Sequence, residues 1–237
     1  MSGAGGDGAK EPPPDEREPQ YSLEKVAPEL AERDRFKPRA LPAQKRARET
    51  VLRILECAAA LVDEVGIEGF NTNLLAQRSG VRVRTIYRYY PNKLALLTEL
   101  LLRLNERLDD EYGGPMSLLA DPRADWRELQ DMMIDRQIDF AREVPGARLI
   151  LGAAEGYPEL LELQNRVYEH LAQQLEAALR GRGLELPAEQ MRALCRSMPE
   201  VFDRLTLVVR NADAEEVDAL RGEMKRWILG HLSQYLD

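Results

Sequence analysis

Apolar residues recur at intervals of three and four along most of this chain, and no stretch alternates apolar with polar in the way a half-buried strand requires. Ile54, Ala58, Leu61, Val62 and Val65 form one such stripe and predict a helix from about Ala43 to Val65. Leu94, Leu97, Leu101, Leu104 and Leu108 predict another from Asn92 to about Tyr112, where Gly113-Gly114-Pro115 is expected to break it. Asp121-Pro122 reads as an N-cap and first turn, opening a helix that reaches about Val144. Pro145-Gly146 restarts the chain, and Pro158 to about Arg180, Pro187 to Arg210 and Ala214 to Leu236 follow as long helices. The pattern predicts an all-α protein of about nine helices.

One short stretch organises the rest. From Asn71 to Lys93 two brief helical runs meet at Gly80. The first holds Leu74, Leu75 and Ala76; the second, Arg82 to Tyr89, holds Val83, Ile86 and Tyr87 at helical spacing. Glycine enters the left-handed region without penalty, as a tight turn between helices requires. Ala76 lets the second helix cross closely, and Leu75, Val81 and Ile86 can share one small core. The result is a helix-turn-helix with Arg82 to Tyr89 as recognition helix.

A net charge of −8 speaks against nucleic acid until it is partitioned. Residues 41–93 hold nine Lys/Arg against five Asp/Glu, so the excess of positive charge sits on the helix-turn-helix, where phosphates would need it. Residues 1–20 are rich in Gly, Pro and Glu, and an acidic, Pro-rich extension spanning 1–40 is expected to be disordered. Within it, residues 21–35 could form a short helix through Leu23, Val26 and Leu30, weakened by Pro28. The extension ends in a basic arm, Arg33 to Arg39, readable either as an extra DNA contact or as a solvated linker. No apolar run is long enough to span a bilayer, the first residues lack a signal-peptide core, and Cys57 and Cys195 suit a reducing compartment. The expectation is a cytoplasmic protein with no membrane partner.

The segment Glu64-Val-Gly-Ile-Glu-Gly-Phe, Leu75-Ala76, Gly80-Val81, Thr85-Ile86-Tyr87 and Asn92-Lys93 together resemble the tetracycline-repressor (TetR-like) family of bacterial regulators. The resemblance covers residues 46–108, with the motif at 71–90, and implies a helical ligand-binding and dimerisation domain over 109–237. Ser79 stands where an apolar residue is commoner, Val83 and Arg84 replace small or polar residues, and Tyr90 replaces Phe. The family's DNA-facing positions fall on Arg82, Val83, Arg84, Thr85, Tyr87 and Tyr89. Thr72 and Lys93 are better phosphate candidates, and for Arg82 and Arg84 base reading and phosphate contact are both open.

In the predicted body, Trp126, Met133, Phe140, Tyr168, Met198 and Phe202 are candidates for lining a ligand cavity, although such residues more often fill a core. Val217, Leu220, Met224, Trp227, His231 and Tyr235 run along the last helix at steps of three and four. On pattern alone they could pack within one subunit or on a symmetry mate. The family dimerises through its C-terminal helices, which assigns Met198, Phe202, Leu220, Met224, Trp227 and His231 to a homodimer interface. His170 and His231 have no acid or thiol at ligand spacing, so neither a metal site, a cofactor nor a catalytic constellation is expected. The resemblance implies a homodimeric repressor released from a double-stranded palindromic operator by a small-molecule effector. The alternative is an architectural or protein-recruiting DNA binder without such a ligand, and a cavity in the body separates the two.

Overall fold

A computed structural model describes residues 19, 21–40, 42–147 and 157–236. Among the described residues the chain is all-α, with ten α-helices, one 3-10 turn and no strand. They are α1 Leu23–Val26, α2 Pro28–Ala31, α3 Lys45–Gly69, α4 Thr72–Ser79, α5 Val83–Tyr89, α6 Lys93–Leu119, α7 Trp126–Glu143, α8 Pro158–Gly181, α9 Ala188–Arg210 and α10 Val217–Leu232. The expected disorder of residues 1–18 and 20 lies outside the described residues.

Residues 21–36 correct the expected disorder while keeping helical the stretch read from Leu23, Val26 and Leu30. They form two four-residue helices on either side of Ala27, with Pro28 at the first position of α2, where its missing N–H costs nothing. Tyr21, Leu23, Val26, Leu30 and Phe36 are all buried, which offsets the cost of ordering so short a strap. The strap lies against α6 and α8. The Tyr21 amide donates to Glu106 Oε2 at 2.7 Å, and its ring meets His170 edge-on at 5.4 Å. Arg33, Arg35 and Glu29 pair with Glu162, Glu159 and Arg166 of α8.

α3 runs past its expected end because Gly66, at φ +70° and ψ 171°, joins two helical stretches across one non-helical residue. α6 also outruns expectation, crossing Gly113-Gly114-Pro115 to reach Leu119. Leu119 is 2% exposed in the core of the body, and such packing overrides local helix breakers. The full leucine stripe of α6 is buried, so this one helix carries the head on its first half and the body on its second.

Two apolar cores result. One joins α3–α6 to the strap, part of α7 and the first turns of α8; the other lies among the end of α6 and α7–α10. Head and body meet at Asp63 of α3, which accepts from the Gly146 amide at 2.8 Å and from Arg210 Nη2 at 3.1 Å. Gly146 has φ +84°, and a Cβ there would fall 2.9 Å from the Ala59 Cβ, so the loop after α7 approaches α3 as closely as its backbone allows. On the far side, Arg221 and Lys225 of α10 reach Asp131, Asp135 and Asp139 of α7 at 2.8–2.9 Å.

Candidate nucleic-acid interface and body cavity

α4 starts on Asn71, whose side chain accepts from the amides of Asn73 and Leu74 at 3.1 and 3.0 Å. It ends on Gly80 in the left-handed region, φ +68°, with no Cβ to strain the turn. Ser79 now has a reason. It is 6% exposed, donates to the Leu75 carbonyl at 2.7 Å and accepts from the Val81 amide at 3.2 Å, tying the end of α4 to the start of the turn. Leu75, Val81 and Ile86 are buried together with Tyr90, so α5 is held rigidly over α4.

This packing sorts the candidate DNA residues. Arg82 stands at the N-cap position of α5 without a side-chain capping bond, and Arg82, Arg84 and Arg88 are exposed; among the described residues none of the three has an ion-pair partner. Val83 and Thr85 are half-buried on the same short helix. Tyr87 is 40% exposed, and its hydroxyl lies 3.2 Å from that of Thr72, joining two phosphate candidates across α4 and α5. Two assignments change. Tyr89 is 6% exposed because it faces the core. Lys93 donates to the Ile67 carbonyl and lies over the rings of Phe70 and Tyr157, so its ammonium is committed inside the subunit; desolvation lowers its pKa.

The basic arm is likewise engaged. Arg33 and Arg35 pair with α8, and Lys37 with Glu24. The Arg39 amide donates to the Tyr89 carbonyl at 2.7 Å, and Asn92, which caps α6 through the Ala95 amide, donates to the Arg35 carbonyl. The strap therefore touches the end of the recognition helix and the start of α6.

A cavity of about 100 Å³ opens in the body between α6, α7, α8, α9 and Tyr21 of the strap. Met133, Met198 and Phe202 line it. Trp126, Phe140 and Tyr168 do not: the first two fill the two cores, and the Tyr168 hydroxyl donates to Asp203 Oδ2 at 2.8 Å behind the wall. Sequence reasoning missed the polar part of the lining, Asn105, Asp109, Gln130, Gln137, Gln164 and Asp203. The signal was available. Gln164 interrupts the apolar series Leu160, Val167 and Leu171, and Gln130 and Gln137 flank Met133 and Ile134 on the buried face of α7. Gln137 Nε2 also donates to Asp203 at 2.8 Å, yet burial still raises the Asp203 carboxyl to about 7. Pro199, in the wall, supplies no N–H to the Cys195 carbonyl, so α9 lacks one of its own bonds here.

The expected dimer residues also divide. Met198 and Phe202 face the cavity, and Met224 is 2% exposed because α10 turns Met224, Ile228 and Leu232 onto the subunit's own core. Leu220 is half-buried, whereas His231 is exposed and Trp227 is 69% exposed. Val201 and Val208, seven residues apart on α9, are exposed as well.

A helix-turn-helix head carried by a long helix into a cavity-bearing helical body defines a class of regulatory DNA-binding architecture. Residues 54–100 match the family described as bacterial regulatory proteins, tetR family, and residues 125–232 match a tetracyclin repressor-like C-terminal domain. The chain belongs to the tetR family of bacterial transcriptional regulators. It is 40% identical over 73 residues to the HTH-type transcriptional repressor KstR of Rhodococcus jostii, an overlap of 31% of this chain and 33% of that protein. The match thus spans about a third of the length of that curated relative. Similarity to the nucleoid occlusion factor SlmA of Vibrio vulnificus is lower, 26%, but covers 69% of this chain and 84% of SlmA. Among solved structures, a TetR-family regulator from Streptomyces coelicolor superposes with a TM-score of 0.57 at 23% identity, covering 80% of this chain and 99% of its own. AibR in complex with isovaleryl coenzyme A and operator DNA gives 0.53 at 16%, covering 75% and 97%. Both show the fold.

Proposed function

We propose that this protein is a homodimeric repressor that holds a palindromic operator and releases it when a small molecule enters the body cavity. The observation that carries the reading is α5, which offers Arg82, Arg84 and Arg88 to solvent while Arg33, Arg35, Lys37, Arg78 and Lys93 nearby are engaged within the subunit. An exposed guanidinium on a recognition helix can fork to the O6 and N7 of guanine. Two such helices related by a two-fold axis would read half-sites about one turn of DNA apart.

Selection of bound genomic fragments supplies the operator, and titration of Arg84→Ala against it tests the reading. The expected loss is about 1–3 kcal/mol with relaxed preference at one base pair. Uniform loss on every sequence would assign Arg84 to a phosphate, and unchanged affinity for both Arg84→Ala and Arg82→Ala would refute α5 as the reading element.

The similarity to SlmA favours a second reading, an architectural or protein-recruiting DNA binder with no small-molecule ligand. The cavity supports the effector reading over it, since its wall holds buried amides that a purely structural body would be expected to pair.

A further inference from the structure

The cavity wall holds hydrogen-bonding capacity that the protein does not use. Gln164 is 2% exposed and Gln130 5%, and both line the cavity. Among the described residues neither amide atom of Gln164 has a hydrogen-bond partner, nor has Oε1 of Gln130; the Gln164 amide lies near the Tyr168 hydroxyl without a well-directed bond. Leaving such a group buried and unpaired costs roughly 1–3 kcal/mol, so amides kept in this state on a cavity wall are placed for whatever fills it.

The chemistry of these atoms is lopsided. Two carbonyl oxygens, on Gln130 and Gln164, ask for donors, and only Gln164 Nε2 asks for an acceptor. Asp203 stands in the same wall, accepting from Gln137 and Tyr168 and keeping lone pairs for further donors. Asp109 is the other charged residue there, and the described lining contains no Lys, Arg or His.

We propose that the cavity takes an amphipathic cation, an ammonium group on an apolar body, with its head between Asp203 and the two glutamines and its body against Met133, Met198 and Phe202. The proposal rests on the effector reading above. An ammonium brings up to three donors and no acceptor, which answers the excess of acceptors. A carboxylate or phosphate would instead turn acceptors towards acceptors and add negative charge beside two acids. Burial raises the carboxyls of Asp203 and Asp109 to about 7 and about 6, and an arriving cation stabilises the ionised forms that burial disfavours.

Three probes sharing one body test this: 3-phenylpropylammonium, 3-phenylpropan-1-ol and 3-phenylpropanoate, titrated calorimetrically into the full-length protein near neutral pH. The ammonium should bind about tenfold or more tighter than the alcohol, with the carboxylate weakest. Asp203→Asn should erase most of the ammonium's advantage over the alcohol, and Gln164→Leu should weaken both. Should Asp203→Asn fail to fold, the wild-type ranking decides alone. A carboxylate that binds as tightly as the ammonium overturns the proposal, as does an ammonium advantage unchanged in folded Asp203→Asn. So does the absence of ammonium binding at millimolar concentration. Operator release is scored separately. An ammonium that binds and leaves DNA affinity intact would sink the effector reading while leaving the ligand class standing.

Discussion

Trp227 and Met224 lie three residues apart on α10, yet the structure gives them opposite fates, and the contrast makes a sharp test of the dimer. Trp227 is 69% exposed in the single subunit, whereas Met224 is 2% exposed. A tryptophan side chain offers up to ~250 Å², so an interface that covered the exposed part would remove roughly 170 Å² from water per subunit. At ~25 cal/mol per Å² that is an upper bound of about 4 kcal/mol per subunit, and a two-fold interface uses the residue twice. Allowing half of that for imperfect burial, Trp227→Ala should raise the dimer dissociation constant by about three orders of magnitude. Met224→Ala should do something else: it opens a hole in the subunit core and costs about 2–5 kcal/mol of folding stability, with little direct effect on subunit contact. Sedimentation across a concentration series, beside thermal unfolding at fixed concentration, reads the two effects separately. A Trp227→Ala protein whose dissociation constant moves less than about tenfold would place the interface elsewhere than the side of α10 that exposes Trp227. Loss of the dimer on Met224→Ala at unchanged stability would show that the partition of α10 into inner and outer faces is wrong.

Three further outcomes follow from the same contacts. Removing residues 1–40 strips Leu30 and Phe36 from the core, so the truncated protein should melt lower and not merely lose salt dependence in DNA binding; an unchanged melting temperature would show the strap to be loosely held. Gly146→Val should destabilise the junction of head and body, because its Cβ would meet Ala59 at 2.9 Å and its backbone would stay in the left-handed region; wild-type stability and operator affinity in this variant would deny that close approach. Asp203 binds its proton more tightly when folded, about 7 against 3.8, so its contribution is most favourable below pH 4 and is lost as pH rises through 7, by up to about 4 kcal/mol. Asp203→Asn should flatten that fall in denaturant titrations from pH 4 to 8, and an identical slope in variant and wild type would refute the burial argument.

The sequence by itself determined what depends on neighbours in the chain. Helical periodicity and a glycine able to turn left-handed at position 80 are local chemistry, and both were legible before any coordinate. The clustering of positive charge on the helix-turn-helix was legible for the same reason, since it needs only counting. Tertiary structure decided the rest, because the competing choices were equal in sequence. A stripe at spacings of three and four places residues within a broad arc but does not say which part of it meets the subunit's own core, so Met224 and Trp227 were inseparable until α7 and α9 packed on α10. A Pro-rich, charged extension has too little apolar surface to fold alone, and only the groove between α6 and α8 gave Leu23, Leu30 and Phe36 somewhere to be buried. The cavity assembles Gln130, Gln164 and Asp203 from three successive helices among the described residues, and their shared environment exists only once those helices are packed together.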